Sequence, residues 1–292
     1  MSVEKTAFLD DDPGAKSRTP LRRLPLYLAL GLAGLFLFVA LFAPLIAPHE
    51  PNLVNLPGRL QGPSGAHWLG TDHLGRDILS RLLYGTRMSL GSVLLCLALI
   101  VAIAVPIGGA AGYLGGRVDQ ALMRMCDGMM TFPTVVLALF LIGVLGTGLV
   151  NVVIAIAISH FPFYARMVRS VVLTLRNADF VLAARICGAG RVRLFIEHFL
   201  PAIAAQLVVL ASLDVGHMML HVSGLSFLGL GVETPTAEWG VMISDARQFV
   251  FSQPMLILLP GLCLLLAVMA ANILGDTLRD RLDPHNQSGH VH

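Results

Sequence analysis

Long apolar runs, almost free of Asp, Glu, Lys and Arg, alternate with short polar segments along this chain. A membrane-spanning helix needs about 20 consecutive apolar residues, and several runs reach that length. These runs are residues 24–49, 88–116, 128–165, 199–232 and 248–275. The third run is long enough for two spans that meet at Gly146-Thr147-Gly148. The pattern therefore predicts an all-α membrane protein with about six transmembrane helices.

Composition agrees with a protein that lies mainly in a lipid bilayer. Of the 292 residues, 55% are hydrophobic and 13% are charged, whereas charged residues make up about 25% of an average soluble domain. The net charge of +2 is too small to indicate nucleic-acid binding. The four cysteines are dispersed, so neither a disulfide framework nor a zinc site is expected.

Basic residues indicate the orientation of the chain, because cytoplasmic connections of membrane proteins carry an excess of Lys and Arg. With the N-terminus inside, most of the 20 Lys and Arg residues fall on the cytoplasmic side. Both termini are therefore predicted to be cytoplasmic. The predicted regions are a cytoplasmic tail (1–24), a first transmembrane helix (25–47), an extracytoplasmic loop (48–86), a core domain with five further transmembrane helices (87–276) and a second cytoplasmic tail (277–292).

Two connections carry helical patterns of their own. In the extracytoplasmic loop, apolar residues recur at helical spacing over 77–87, which predicts a short helix lying on the outer surface. The cytoplasmic connection 166–200 is unusually long for a helical bundle. Its apolar residues recur on either side of Gly188-Ala189-Gly190, which indicates helix, break, helix. A basic loop lying on anionic lipid is the alternative interpretation.

This connection resembles the coupling loop of ABC importer permeases. The family pattern is Glu-Ala-Ala, a Gly after three residues, and Ile-any-Leu-Pro after nine more. Leu182 stands at the Glu position and His198 at the Ile position of the pattern. In the family this loop docks into a groove of the ATPase subunit. The resemblance implies an ATPase-coupling loop that contains Ala183, Ala184, Gly188, Ala189, Leu200 and Pro201.

Further segments resemble the dipeptide, oligopeptide and nickel permeases, and the similarity covers nearly the whole chain beyond about residue 25. They are His67–Asp72 with Gly75–Asp77, Leu225–Gly231 with Trp239-Gly240, and Gly275–Pro284. The resemblance implies the type I ABC importer permease fold in the bacterial cytoplasmic (inner) membrane. It also implies three kinds of partner: a homologous second permease subunit, two ATPase subunits that carry ATP and Mg, and an extracytoplasmic solute-binding protein.

A polar stripe marks the fifth predicted span. Asp214, His217, Met218 and His221 fall within about 100° of one another around a helix. A charged Asp at the bilayer centre costs about 2.5–3.5 kcal/mol on insertion scales, so it normally faces a cavity or a partner. Imidazole and carboxylate suit a divalent metal, and residues 213–222 most resemble the nickel-transporting branch of the family.

These residues, together with His160 in the fourth span, are the predicted path of a transported nickel ion, free or chelated. Asp214, His217 and His221 are its candidate transient ligands. The alternative is that Asp214 and His217 pair with each other, or with a neighbouring helix, and only stabilise packing. Cobalt is not separated from nickel by ligand preference.

No enzymatic activity of its own is expected for this chain. Its only lysines, Lys5 and Lys16, lie outside any Gly-x-x-x-x-Gly-Lys loop that binds nucleotide phosphates. No cofactor bound by the chain is expected, and ATP hydrolysis is assigned to partner subunits. A dipeptide or oligopeptide importer is the alternative with the same machinery. A proton-coupled secondary transporter, with Asp214 as the proton relay, is the alternative from another class, and it leaves the long cytoplasmic connection without a role.

Overall fold

Five long apolar helices form the framework of the protein. The computed structural model describes residues 24–282, so residues 1–23 of the predicted N-terminal tail and 283–292 of the C-terminal tail lie outside the described residues. Most of the chain within that range is helical, and five helices are long and apolar enough to cross a membrane. They are α1 (Leu24–Ile46), α2 (Ile78–Leu114), α5 (Leu149–Leu175), α8 (Leu200–Phe227) and α10 (Met255–Leu282).

The sixth predicted crossing is a bent pair of helices rather than one rod. Helix α3 (Gly116–Met130) and helix α4 (Thr134–Leu145) meet at an angle of 92°. At 12 residues, α4 is too short to span a bilayer by itself. The bend follows from Pro133, which precedes α4 and disfavours helical geometry in the residue before it. The all-helical fold class is confirmed, with six crossings when the bent pair is counted as one.

Helix α2 begins earlier than the sequence predicted. Asp77 caps it, because its side chain accepts a hydrogen bond from the Ser80 backbone N–H at 2.8 Å. The prediction of a separate surface helix over 77–87 is therefore wrong, since this segment forms the first turns of a 37-residue helix. Its Gly85 lies against Trp239, and a Cβ at Gly85 would come within 2.8 Å of the indole ring. The missing side chain lets this segment pack on the core instead of lying on the surface.

Glycines also set the close approach of α2 and α5. A Cβ at Gly108 would clash with the carbonyl oxygen of Ala165, and one at Gly112 would lie 2.8 Å from Cβ of Val172. Small residues at such positions allow membrane helices to approach closely. Helix α5 is thereby held between α2 and α8. The predicted turn at Gly146-Thr147-Gly148 separates α4 from α5, and both of its glycines have positive φ.

The long connection after α5 has the predicted helix, break, helix form. Helix α6 (Asp179–Ile186) ends before Gly188, which has φ +85°, a conformation that glycine adopts without steric cost. Helix α7 (Arg191–Leu194) then continues through a π-helical turn, Phe195–Phe199, into α8. The short helix α9 (Trp239–Asp245) follows α8 and precedes α10.

Candidate functional site

The polar stripe of α8 meets a tyrosine of α5. Asp214 is partly buried, and its Oδ2 accepts a hydrogen bond of 2.7 Å from the hydroxyl of Tyr164, which is fully buried. Nδ1 of His217 lies 3.6 Å from Asp214 Oδ1, beyond hydrogen-bond distance but within reach of an ion pair. The His217 side chain is 71% exposed. Asp214 is therefore held in place by a neutral partner, and one of its oxygens faces an accessible imidazole.

Two further histidines meet across the α5–α8 contact. The rings of His160 and His221 pack edge to face with their centroids 5.1 Å apart. Nδ1 of His160 lies 2.9 Å from the carbonyl oxygen of Ile156, and Nδ1 of His221 lies 2.7 Å from that of His217. A carbonyl oxygen can only accept, so Nδ1 carries the proton in each ring and a neutral ring keeps its lone pair on Nε2. Metal-binding histidines typically donate one N–H to a carbonyl in this way.

We call this surface the polar face of α8. It consists of Asp214, His217 and His221 of α8 with His160 and Tyr164 of α5, and it includes most but not all of the residues predicted from sequence. Met218 is fully buried in the apolar core, although it lies within the predicted stripe. Tyr164 was not predicted. Its sequence signal is its position four residues after His160, which places both side chains on one face of α5.

This face is open on one side. Leu220, next to it on α8, is 52% exposed, and a groove beside His221 is lined by Val135, Gly224 and Leu228. Ionisable side chains in membrane segments normally face a bundle interior or a water-filled cavity rather than lipid. The exposed imidazole of His217 therefore indicates that another subunit or a water-filled passage lies against this face.

The helix α6 exposes apolar side chains in a basic connection. Phe180, Leu182 and Ile186 are 51%, 40% and 88% exposed. Leu182 and Ile186 are four residues apart and share one face of α6, while Val181 is buried and anchors the helix to the core. The exposed face of α6 is thus an apolar surface suited to docking.

The other residues of the predicted coupling loop lie within the break and on both sides of it. Ala183 and Gly188 are exposed, Ala184 and Ala189 are partly buried, and Leu200-Pro201 form the exposed first turn of α8. His198, which departs from the family pattern, packs its ring against Phe180 at a centroid distance of 5.8 Å. This contact ties α6 to the π-helical turn.

A charge cluster joins the α1–α2 loop to α9. Arg76 Nε donates to Asp72 Oδ2 at 2.6 Å, and its Nη2 donates to Asp245 Oδ2 at 3.1 Å. Nε of Arg81 lies 3.6 Å from the same oxygen of Asp72. Both arginine side chains are 1% exposed. The charge cluster consists of Asp72, Arg76, Arg81 and Asp245 and is neutral overall. The family resemblance of residues 67–77 gave no indication that this segment forms buried ion pairs.

Asp77, at the start of α2, remains ionised despite its burial. Burial by itself raises the pKa of a carboxyl group, but hydrogen bonds from Ser80 and His67 and the nearby His49 together hold the pKa of Asp77 below its usual value. The loop therefore contains a fixed negative charge beside two imidazole rings.

Comparison with known proteins places these features in a family. The family model described as binding-protein-dependent transport system inner membrane component matches residues 104–287, more than half of the chain. The chain is 58% identical over 265 residues to the nickel transport system permease protein NikC of Escherichia coli K12. The aligned region covers 91% of this chain and 96% of that protein.

Peptide permeases are similar at lower identity. The chain is 42% identical over 253 residues to the dipeptide transport system permease protein DppC of Alkalihalophilus pseudofirmus, with 87% of this chain and 83% of that protein covered. It is 43% identical over 259 residues to the di/tripeptide transport system permease protein DppC of Pseudomonas aeruginosa, with 86% and 84% covered.

Proposed function

The chain belongs to the binding-protein-dependent transport system inner membrane component family, and on this basis we propose that it is the permease subunit of an ATP-driven importer of nickel. Identity of 58% to a nickel permease supports this cargo. The observation that carries the proposal is the polar face of α8, where two pairs of possible ligands, Asp214 with His217 and His160 with His221, lie on apolar membrane-spanning helices. Among the described residues these four side chains do not gather around a single point.

In this proposal Asp214 compensates the charge of the ion inside the membrane, where an uncompensated divalent cation is strongly disfavoured. Tyr164 orients the carboxylate through its 2.7 Å hydrogen bond. His217, His221 and His160 bind the ion in turn through imidazole nitrogens. Passage requires sites that are strong enough to admit an ion and weak enough to release it, which fits ligands spread over two turns of α8 better than a closed cage.

The energy comes from partner subunits in this proposal. Both termini and α6 lie on the cytoplasmic side. Of the two ATPases that bind ATP and Mg, one docks on the coupling loop of this chain, which includes the apolar face of α6 and the exposed Leu200-Pro201 turn. A homologous second permease covers the open side of the polar face of α8, and a solute-binding protein delivers nickel, free or chelated, from outside. Closure of the ATPase pair then switches the path from one side of the membrane to the other.

A peptide importer is the second candidate, supported by the 42–43% identity to dipeptide permeases. A peptide does not need three imidazoles and a carboxylate along one polar face, so this arrangement favours nickel. A proton-coupled transporter would use Asp214 alone, and it offers no role for the exposed apolar face of α6.

The cargo is tested by uptake of radioactive nickel into proteoliposomes that contain the whole complex with ATP inside. We expect His217→Ala to abolish uptake at unchanged complex yield, because it removes the most accessible ligand. Leu220→Ala, an equally small replacement at a neighbouring exposed position, is the matched control and should transport normally. Normal nickel uptake by His217→Ala, or uptake of a labelled dipeptide instead of nickel by the parent complex, would contradict the proposal.

The coupling role of α6 is tested at the break that follows it. Gly188 has φ +85°, whereas Gly190 has an extended conformation with φ −69°, and a Cβ has open space at both positions. Gly188→Val should therefore reshape the break and separate ATP hydrolysis from uptake or release the ATPases, while Gly190→Val should not. Equal uptake and equal ATPase co-purification in the two variants would exclude a coupling role for this break.

A further inference from the structure

Two histidines and a carboxylate meet in the loop between α1 and α2, outside the membrane-spanning helices. Nδ1 of His67 lies 2.9 Å from Oδ1 of Asp77, and Nδ1 of His49 lies 3.8 Å from the same oxygen. One ligand atom from each residue falls within 4.8 Å of the other two. The two rings are 4.6 Å apart between centroids. Three residues that bind transition metals thus converge on one point.

The two oxygens of Asp77 have separate functions. Oδ2 caps α2, since it accepts hydrogen bonds from the Ser80 backbone N–H at 2.8 Å and the Ser80 hydroxyl at 2.7 Å. Oδ1 is directed towards the two imidazoles. The helix cap therefore occupies only Oδ2, while Oδ1 accepts a hydrogen bond from Nδ1 of His67 at 2.9 Å. An ion bound between Oδ1 and Nδ1 would replace that hydrogen bond, and the Nδ1 proton would be released or move to Nε2, without disturbing the helix cap.

His49 is held in place but its ring nitrogen has no partner. Its backbone N–H donates to the Ser80 hydroxyl at 3.0 Å. Its Nδ1 is buried and, among the residues that the structure describes, forms no hydrogen bond, because 3.8 Å to Asp77 is too long for one. Leaving a buried polar atom unsatisfied costs about 1–3 kcal/mol. The side chain as a whole is still 38% exposed, so the buried nitrogen lies close to solvent.

The spacing suits a metal ion. Bonds of about 2.0–2.1 Å from a metal to imidazole nitrogen and carboxylate oxygen place neighbouring ligand atoms roughly 3.0–3.4 Å apart, and the distances of 2.9 and 3.8 Å bracket this range. Two imidazoles with one carboxylate match the preferences of zinc, cobalt and nickel rather than magnesium or calcium.

We propose that His49, His67 and Asp77 bind a divalent first-row transition-metal ion in the α1–α2 loop, with water completing the coordination. The ion satisfies the orphaned nitrogen of His49 and neutralises the buried carboxylate. Three protein ligands leave an open position, as in exchangeable rather than closed structural sites. The site is separate in sequence from the polar face of α8 and does not depend on which cargo crosses the membrane.

Cobalt(II) is the probe for this site, because its visible absorption reports coordination. The whole complex, purified with a tag that contains no histidine, is titrated in the absence of ATP, and bound cobalt is counted by equilibrium dialysis. We expect His49→Gln to bind one cobalt fewer per chain than the parent. The matched control is His73→Gln, since His73 lies in the same loop but stacks on Phe249, and it should bind as much as the parent. Equal cobalt binding by His49→Gln and the parent would overturn the proposal.

A second variant gives a positive signal. His49→Cys exchanges an imidazole for a thiolate at the same position, so cobalt should produce a sulfur-to-cobalt charge-transfer band in the near ultraviolet that the parent lacks. A folded complex, verified by size-exclusion chromatography, that binds cobalt without this band contradicts the proposal. Because both readouts are taken at equilibrium, they are independent of nickel uptake. The proposed transport function and this site can therefore fail separately.

Discussion

The charge cluster around Arg76 and the polar face of α8 both place charge where water is scarce, but they are built differently. In the charge cluster, each arginine is 1% exposed and lies beside a carboxylate. On the polar face, Asp214 is held by a neutral tyrosine and its nearest imidazole is 71% exposed. A cluster that neutralises itself has no charge left for a ligand. A carboxylate without a full counter-charge retains the capacity to attract a cation.

The largest expected loss of stability comes from removing one arginine of the charge cluster. Arg76→Met leaves Asp72 and Asp245 without their shared counter-charge, and breaking a buried pair in this way costs about 3–5 kcal/mol. We expect little folded complex and a strongly lowered thermal midpoint in detergent, measured by fluorescence-detected size-exclusion chromatography. The matched control is Arg247→Met, because Arg247 is exposed. A stable Arg76→Met complex with lost nickel uptake would instead place the charge cluster in the transport path.

Asp214→Asn is expected to change the stability of the complex less than Arg76→Met but to abolish nickel uptake. The amide oxygen can still accept the hydrogen bond of Tyr164, so the fold is kept while the negative charge is removed. Nickel uptake should fall to the level of liposomes without transporter. The thermal midpoint should be unchanged or higher, because a partly buried charge no longer has to be desolvated. Loss of the complex, as for Arg76→Met, would show that the two regions have the same structural role.

The smallest effect is expected from Tyr164→Phe, which removes only the hydrogen bond that orients Asp214. A typical net hydrogen bond contributes about 1 kcal/mol, which corresponds to about a fivefold weaker apparent nickel affinity. The measurement is the concentration dependence of uptake at equal amounts of complex. Tyr113→Phe is the control, since Tyr113 packs on Phe199 away from Asp214. An unchanged apparent affinity would mean that the hydrogen bond from Tyr164 to Asp214 does not contribute to nickel binding.

The periodicity of a helix explains why the sequence predicted much of the polar face of α8. Asp214, His217 and His221 share one face of α8 whatever the helix packs against, because their spacing alone fixes their angles. The contact between His160 and His221 does not follow from spacing. It depends on how α5 crosses α8, which the spacing of residues within one helix does not specify. Burial of Met218 likewise reflects packing at the edge of the stripe.

Hydropathy predicted the crossings but not their interruptions. Residues 128–145 read as one apolar span, although Pro133 was a visible signal for the bend between α3 and α4. The short surface helix was expected because apolar residues recur at helical spacing in the predicted extracytoplasmic loop, yet the segment packs on the core, and its Arg81 is buried in the charge cluster. Pairing between residues distant in sequence, as between Arg76 and Asp245, leaves no local pattern, so the charge cluster could not be predicted.

The helical run from Arg191 to Phe227 has a thermodynamic consequence. It is continuous through the π-helical turn, and at about 1.5 Å per residue it separates the start of α7 from Asp214 by roughly 35 Å. If docking on α6 moves this run and thereby changes the affinity of Asp214 for an ion, the bound ion must change the docking affinity by the same factor. Under that coupling, the ATPases bind with different affinity when an ion occupies the path and when it is empty. The fraction of ATPase that stays bound to the complex would then report ion occupancy.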